Sequence, residues 1–145
     1  MFVRRISALL LAAMTAGPAL ASDASDRQRL QAQPWQLIHA VDRQGKRLHA
    51  LFVPGAPPVG LRFQADGVAL LNLCNEMSGG YRLQDSQLTI EPMVHTLIGC
   101  VDARNKQETE AKQRVWGTST LLMGAAGTLT LHTARGDTLV FAPAP

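Results

Sequence analysis

A chain of 145 residues has room for one domain. Its net charge is +3, from 14 basic and 11 acidic residues, with a sequence pI of about 9.3. Arg4 and Arg5 supply two of those positive charges, and without them 12 basic residues stand against 11 acidic ones. So even a balance, with no clustered basic face, excludes a nucleic-acid footprint and a polybasic membrane patch.

The first residues read as a Sec-type leader. Arg4 and Arg5 form a basic n-region, residues 6–16 are apolar apart from Ser7 and Thr15, and Ala19-Leu20-Ala21 is a small-x-small cleavage signal. The signal peptide is thus expected over residues 1–21, with cleavage before Ser22. The apolar run is too short to span a bilayer, and no later run is long enough, so no integral membrane segment is expected after cleavage. No cysteine stands at the cleavage point to take a lipid. The expected compartment is the periplasm or the exterior. There, the two cysteines, Cys74 and Cys100, read as one disulfide. Closing a loop of that size stabilises a fold by roughly 3–4 kcal/mol in the chain-entropy model. No Cys-x-x-Cys is present and neither cysteine has a histidine at ligand spacing, which sets aside a redox or metal pair.

Residues 22–33 are polar without periodicity and are expected to form a flexible N-terminal tail, with a nascent helical turn at 26–30. Pro34 ends the tail and the domain runs over 34–145. Residues 35–41 predict a strand with Trp35, Leu37, His39 and Val41 on one face. Asp42-Arg43-Gln44-Gly45 is a turn. Residues 47–53 predict a second strand, and the proline-rich 54–58 a loop. In residues 59–64, Val59, Leu61 and Phe63 point inward and Arg62 and Gln64 outward; Ala65-Asp66-Gly67 then turns the chain into a strand over 68–73. Gly79-Gly80 allows a bend before strands at 81–84 and 87–93. Residues 102–115 predict the single helix, N-capped by Asp102. Four opposite-charge pairs at i,i+4 line it: Arg104/Glu108, Lys106/Glu110, Glu108/Lys112 and Glu110/Arg114. Its thin apolar face (Ala103, Ala111, Val115) predicts a surface helix docked at its ends. Strands at 116–123, 128–133 and 138–141 complete a mainly β pattern, predicting a small antiparallel sheet curled into a partly open barrel, with the helix over an end or edge.

This ordered pattern resembles the META domain, the HslJ-like family of small bacterial envelope proteins. The resemblance rests on Trp35-Gln36-Leu37, the Leu61–Gly67 strand and turn, Cys74-Asn75 followed by Ser78-Gly79-Gly80-Tyr81, Leu88-Thr89-Ile90-Glu91-Pro92, Thr96-Leu97-Ile98-Gly99-Cys100, and the closing Gly127–Leu131 and Gly136–Leu139 segments. It implies a barrel-like fold and an envelope or heat-stress setting, and no established enzymatic activity. Glu76 and Leu97 stand where the family usually carries arginine, so a binding role carried by those arginines does not transfer.

No catalytic constellation emerges. His39, His49, His95 and His132 share no ligand spacing, so no metal and no cofactor is expected. Ser78 lacks the nucleophile elbow and reads as a turn serine. Asn75 is expected to bond backbone groups where a strand breaks. Tyr81 and Trp35 are expected as packed rings, and Gly79 and Gly80 as part of the corner held by the Cys74–Cys100 staple. The expectation is a non-enzymatic exported protein, stress-related or a small binding module. The alternative is a periplasmic carrier of a small apolar ligand or an inhibitor of an envelope enzyme. Its partner would be an envelope protein or small ligand, met through residues 54–58 or 75–80.

Overall fold

The computed structural model describes residues 18–145, and side chains from Ser22 onward. The leader expected over residues 1–21 lies, up to Gly17, outside the described residues.

The first described element is a helix, α1 (Pro18–Gln31). It replaces the flexible tail expected over residues 22–33. What holds it is not an apolar stripe but a few specific bonds. Asp23 is buried, and its carboxylate accepts hydrogen bonds from the backbone N–H groups of Asp85 (2.5 Å) and Ser86 (2.9 Å). Those two residues form the hairpin turn between two later strands, both in the left-handed region (φ 50° and 60°). Leu30 is fully buried, and the Trp35 indole N–H donates to its carbonyl at 3.0 Å. A single apolar anchor and one turn-capping acid leave no periodic signal in the sequence.

Ten strands follow: β1 (Trp35–Val41), β2 (Gly60–Phe63), β3 (Val68–Leu71), β4 (Met77–Gly79), β5 (Tyr81–Gln84), β6 (Gln87–Ile90), β7 (Val94–His95), β8 (Gly117–Met123), β9 (Leu129–Thr133) and β10 (Thr138–Pro143). They make one antiparallel sheet in the order β5-β6-β8-β9-β10-β1-β2-β3-β4-β7. The curled, partly open, mainly β architecture is the one expected. β1 pairs with β10, so the first and last strands meet in the middle of the sheet, and the Ala144 N–H donates to Pro34 O at 2.9 Å.

Two strand expectations change. In β1 the pairing with β10 shifts between Leu37 and His39, and this bulge turns Ala40 inward while His39 faces solvent. Residues 47–53 are not a strand: Arg47 makes one bridge to Val41, and His49–Leu51 is a single 3-10 turn.

Consecutive β4 and β5 are separated only by Gly80, yet lie near opposite ends of the strand order. The chain itself therefore spans the seam of the barrel. A side chain would be crowded there: a Cβ on Gly79 would stand 3.0 Å from Met93 Cγ and 3.2 Å from Met93 Cα. The interior is filled. Trp35, Leu61, Leu88, Ile90, Leu121, Leu129, Leu131, Leu139 and Phe141 are all at most 2 % exposed. Each such side chain contributes about 1.5–3 kcal/mol of transfer free energy.

Because neighbouring strands alternate in direction, the β2–β3, β5–β6 and β8–β9 turns lie at one end. α1 closes that end, with Gln31 donating to Gln64 O, Arg27 to Leu83 O and Arg29 to Gly124 O. The other end is closed by α2 (Asp102–Val115). This helix is not merely a surface helix docked at its ends: Gln107, Glu108, Ala111 and Val115 form a buried stripe. Gln107 is fully buried and donates to Leu51 O at 3.0 Å. Asp102 is the first helical residue rather than the N-cap, which is Val101, with no side-chain bond. Of the four expected ion pairs, Glu108–Lys112 and Glu110–Arg114 form; Arg104 instead binds Gln107 and Asn72 O. Arg114 also faces Asp137 of the β9–β10 turn at 3.2 Å, a buried ion pair without hydrogen-bond alignment.

Candidate functional site

The chain leaves β3 through Asn72, whose φ of 63° breaks the strand, and whose amide N–H donates to Pro58 O at 2.8 Å. Three residues on, Asn75 is buried and sits at the centre of a hydrogen-bonded cluster. Its backbone N–H donates to Glu108 Oε2 at 2.9 Å, and its side-chain Nδ2 donates to the same carboxylate at 3.1 and 3.3 Å. Its Oδ1 accepts from Ile98 N–H at 2.6 Å and from the Thr96 hydroxyl at 2.9 Å. That hydroxyl in turn accepts from Glu76 N–H at 3.2 Å. One asparagine thereby joins β4, α2 and residues 96–98.

Glu108 is the charged member of the cluster. Burial pushes its carboxyl up, but the hydrogen bonds from Asn75 and the contact with Lys112 at 3.3 Å outweigh that and hold it below its ordinary value. It is kept as an anion, with its oxygens already occupied. The sequence offered Glu108 only as a member of surface pairs. Its signal was its place on the 108, 111, 115 helical stripe, which marks an inward face.

Cys74 and Cys100 form the expected disulfide, with Cα atoms 6.2 Å apart. Together with Asn75 it ties down residues 94–101. That loop nevertheless buries none of its apolar side chains: Leu97 is 90 % exposed, Val94 78 %, Val101 70 % and Ile98 59 %.

The remaining motif residues divide between two places. Ser78 lies on β4, exposed; His95, nearby on β7, turns its Nδ1 to Thr96 O, and no hydrogen bond links it to Ser78. Gly79 and Gly80 make the seam. Tyr81 and Trp35 belong to the α1 end, away from the Asn75 cluster. The Tyr81 hydroxyl donates to Gln64 O at 3.0 Å and accepts from Gln31 Nε2 at 2.8 Å, while its ring meets Phe63 edge-on at 5.1 Å. His39, His49, His95 and His132 are all exposed, and among the described residues no group of three His, Cys, Asp or Glu side chains could hold a metal ion. Among the described residues, too, no helix is long and apolar enough to cross a membrane.

A surface depression of about 650 Å³ lies over the outer face of β3, β4 and β7 and is lined by Ala69, Leu71, Leu73, Glu76, Ser78 and Val94 among others. The proline-rich residues 54–58 border a smaller crevice of about 330 Å³, beside Arg47, whose guanidinium lies 4.4 Å from the Phe52 ring centre.

Known structures share this fold. A protein from Burkholderia xenovorans solved by NMR aligns over 99 % of both chains with a TM-score of 0.65 and 19 % identity. A second protein solved by NMR covers 81 % of this chain and 93 % of its own, with a TM-score of 0.59 and 22 % identity. A DUF4847 family protein from Bacteroides vulgatus, in a crystal structure, covers 78 % and 93 %, with a TM-score of 0.50 and 11 % identity. Comparison with curated proteins finds no match. The META domain profile matches residues 28–145, from the second half of α1 through the whole sheet, and on that match the chain belongs to the META domain family.

Proposed function

We propose that this META-domain protein is exported, has no catalytic activity of its own, and works as a small binding module of the bacterial envelope with a part in stress tolerance. The observation that carries this reading is the loop of residues 94–101. Four large apolar side chains stand in water there, held by a disulfide and by the Asn75 cluster. Exposed apolar groups add nothing to folding, so fixing them at the surface makes sense as presentation to a partner.

A disulfide within an otherwise well-packed small domain supports an oxidising compartment. The filled interior speaks for a surface role over a lumen carrier, and a presented loop suits inhibition of an envelope enzyme better than transport. Against catalysis, Asn75, Thr96 and Glu108 spend their polar atoms on one another.

Cell fractionation with intact-mass measurement tests export: the expected product begins at Ser22 and carries the oxidised Cys74–Cys100 pair. A full-length, reduced chain in the cytoplasm would overturn it. For the loop, crosslinking in cells compares wild type with Leu97→Asp/Ile98→Asp. Loss of the crosslinked partner, with an unchanged melting temperature, is the expected result; an undiminished crosslink would remove the loop from the reading.

A further inference from the structure

Apart from the loop, one face of the sheet combines shape and charge in a way that folding does not explain. The 650 Å³ depression over β3, β4 and β7 runs into a second of about 350 Å³, and the two share Ala69, Ser78 and Val94. Together they form one groove following the strands. Its apolar surface comes chiefly from Ala69 and Leu71, on one face of β3, and from Val94 on β7, with Leu73, past the break at Asn72 and packed partly against the core, at one end. Each part contains one exposed acid, Glu76 in the first and Asp66 in the second; no lysine or arginine is among the lining residues, and the exposed Arg62, cross-strand from Ala69, stands at the flank. Among the described residues neither acid forms an ion pair. The register Leu70↔Met77 sets Glu76 beside Leu71. Asp66, in the β2–β3 turn, and Glu76, just before β4, therefore stand off opposite ends of the four-residue β3, which spans about 10 Å at ~3.3 Å per residue. At the groove's side, β7 is the last strand of the sheet, and among the described residues its outer edge has no partner strand.

We infer that this groove seats an extended peptide segment with apolar side chains in its middle and a basic residue at either end. The proposal rests on the binding-module reading and names the partner's chemistry. The groove's course over the paired strands β3 and β4 fits a short extended chain. Its floor takes alternate apolar side chains, and the two unpaired acids select against acidic partners. The walls are set in advance, because Thr96 N–H donates to Glu76 O at 3.1 Å and Thr96 is itself held by Asn75.

The test is fluorescence anisotropy at low salt with a labelled peptide, Lys-Val-Thr-Leu-Thr-Val-Lys, against the same peptide with glutamate at both ends. The lysine peptide is expected to bind at least about tenfold tighter, and Glu76→Lys/Asp66→Lys to weaken it by about tenfold, as complementary rim charges do. Ala69→Arg, on the outer face, should block binding while the melting temperature and the disulfide are retained. Equal binding of both peptides, or binding indifferent to Ala69→Arg, would overturn the proposal. So would self-association by light scattering, or binding to anionic vesicles, that Ala69→Arg abolishes: the groove would then belong to a second copy or to lipid. A cellular partner lost on Leu97→Asp but retained by Ala69→Arg would refute the groove and leave the binding-module reading standing.

Discussion

Asn75 and Glu108, 33 positions apart, are joined through both the backbone and the side-chain amide of the asparagine. This pairing fixes α2 over one end of the barrel and sets the start of the exposed loop. Asn75→Ala should destabilise the fold by about 1–3 kcal/mol, because it takes the side-chain donor from a buried carboxylate, which keeps the backbone N–H of position 75 and Lys112, and removes the bonds to Thr96 and Ile98. Urea denaturation of the oxidised protein measures it. A loss under about 0.5 kcal/mol, the range of an ordinary surface substitution, would contradict the central role given to Asn75.

Glu108 makes stability depend on acid. Its carboxyl in the folded protein lies below the ordinary value of 4.5, so the unfolded chain takes up the proton first as pH falls. The stabilisation is fully present above pH 4.5 and is lost as pH drops through the lowered folded value. Glu108→Gln should lower stability at neutral pH and flatten the acid limb of a stability–pH curve. Parallel curves for the two proteins between pH 5 and 2.5 would show that the carboxylate contributes nothing differential.

Removing the disulfide with Cys74→Ala/Cys100→Ala should cost about 2–5 kcal/mol. The Asn75 bonds to Thr96 and Ile98 remain, so the loop should stay docked in the native state. Limited proteolysis would then cut near Leu97 at a rate that follows global stability. Cleavage far faster than that would mean the covalent tie alone holds the loop.

At the opposite end, Asp23→Asn keeps the shape of the side chain but weakens its hold on the Asp85 and Ser86 amides. Hydrogen exchange at those two amides and along α1 should rise, with a global cost of about 1–2 kcal/mol. Unchanged exchange in α1 would indicate that Leu30 and Trp35 alone seat the helix.

Most strands of the sheet were legible because their alternation is simple: Leu61 and Phe63, or Leu129 and Leu131, face inward with polar neighbours between them, whereas β4 and β7, three and two residues long, are too short to show any. The disulfide followed from two cysteines in a chain with a leader-like start. The rest escaped for physical reasons. α1 docks through one acid and one leucine, which no periodicity measure detects. The bulge in β1 slips the inward face from His39 to Ala40, and nothing local announces it. Residues 47–53 have the composition of a strand but find no long partner. Glu108 reads as a solvated helix charge until Asn75 is placed beside it, and that meeting depends on tertiary structure alone. The groove over β3 and β4 is likewise invisible in sequence, since Asp66 looks like a turn residue and Glu76 like a departure from a motif.

The pairing of β1 with β10 has a consequence for how the molecule comes into being. The two strands at the middle of the sheet are contributed by opposite ends of the domain, so neither half can finish its barrel alone. Closure of the sheet must wait until Thr138–Pro143 is available to join its two halves, so the contact that completes the fold is also among the most distant in sequence.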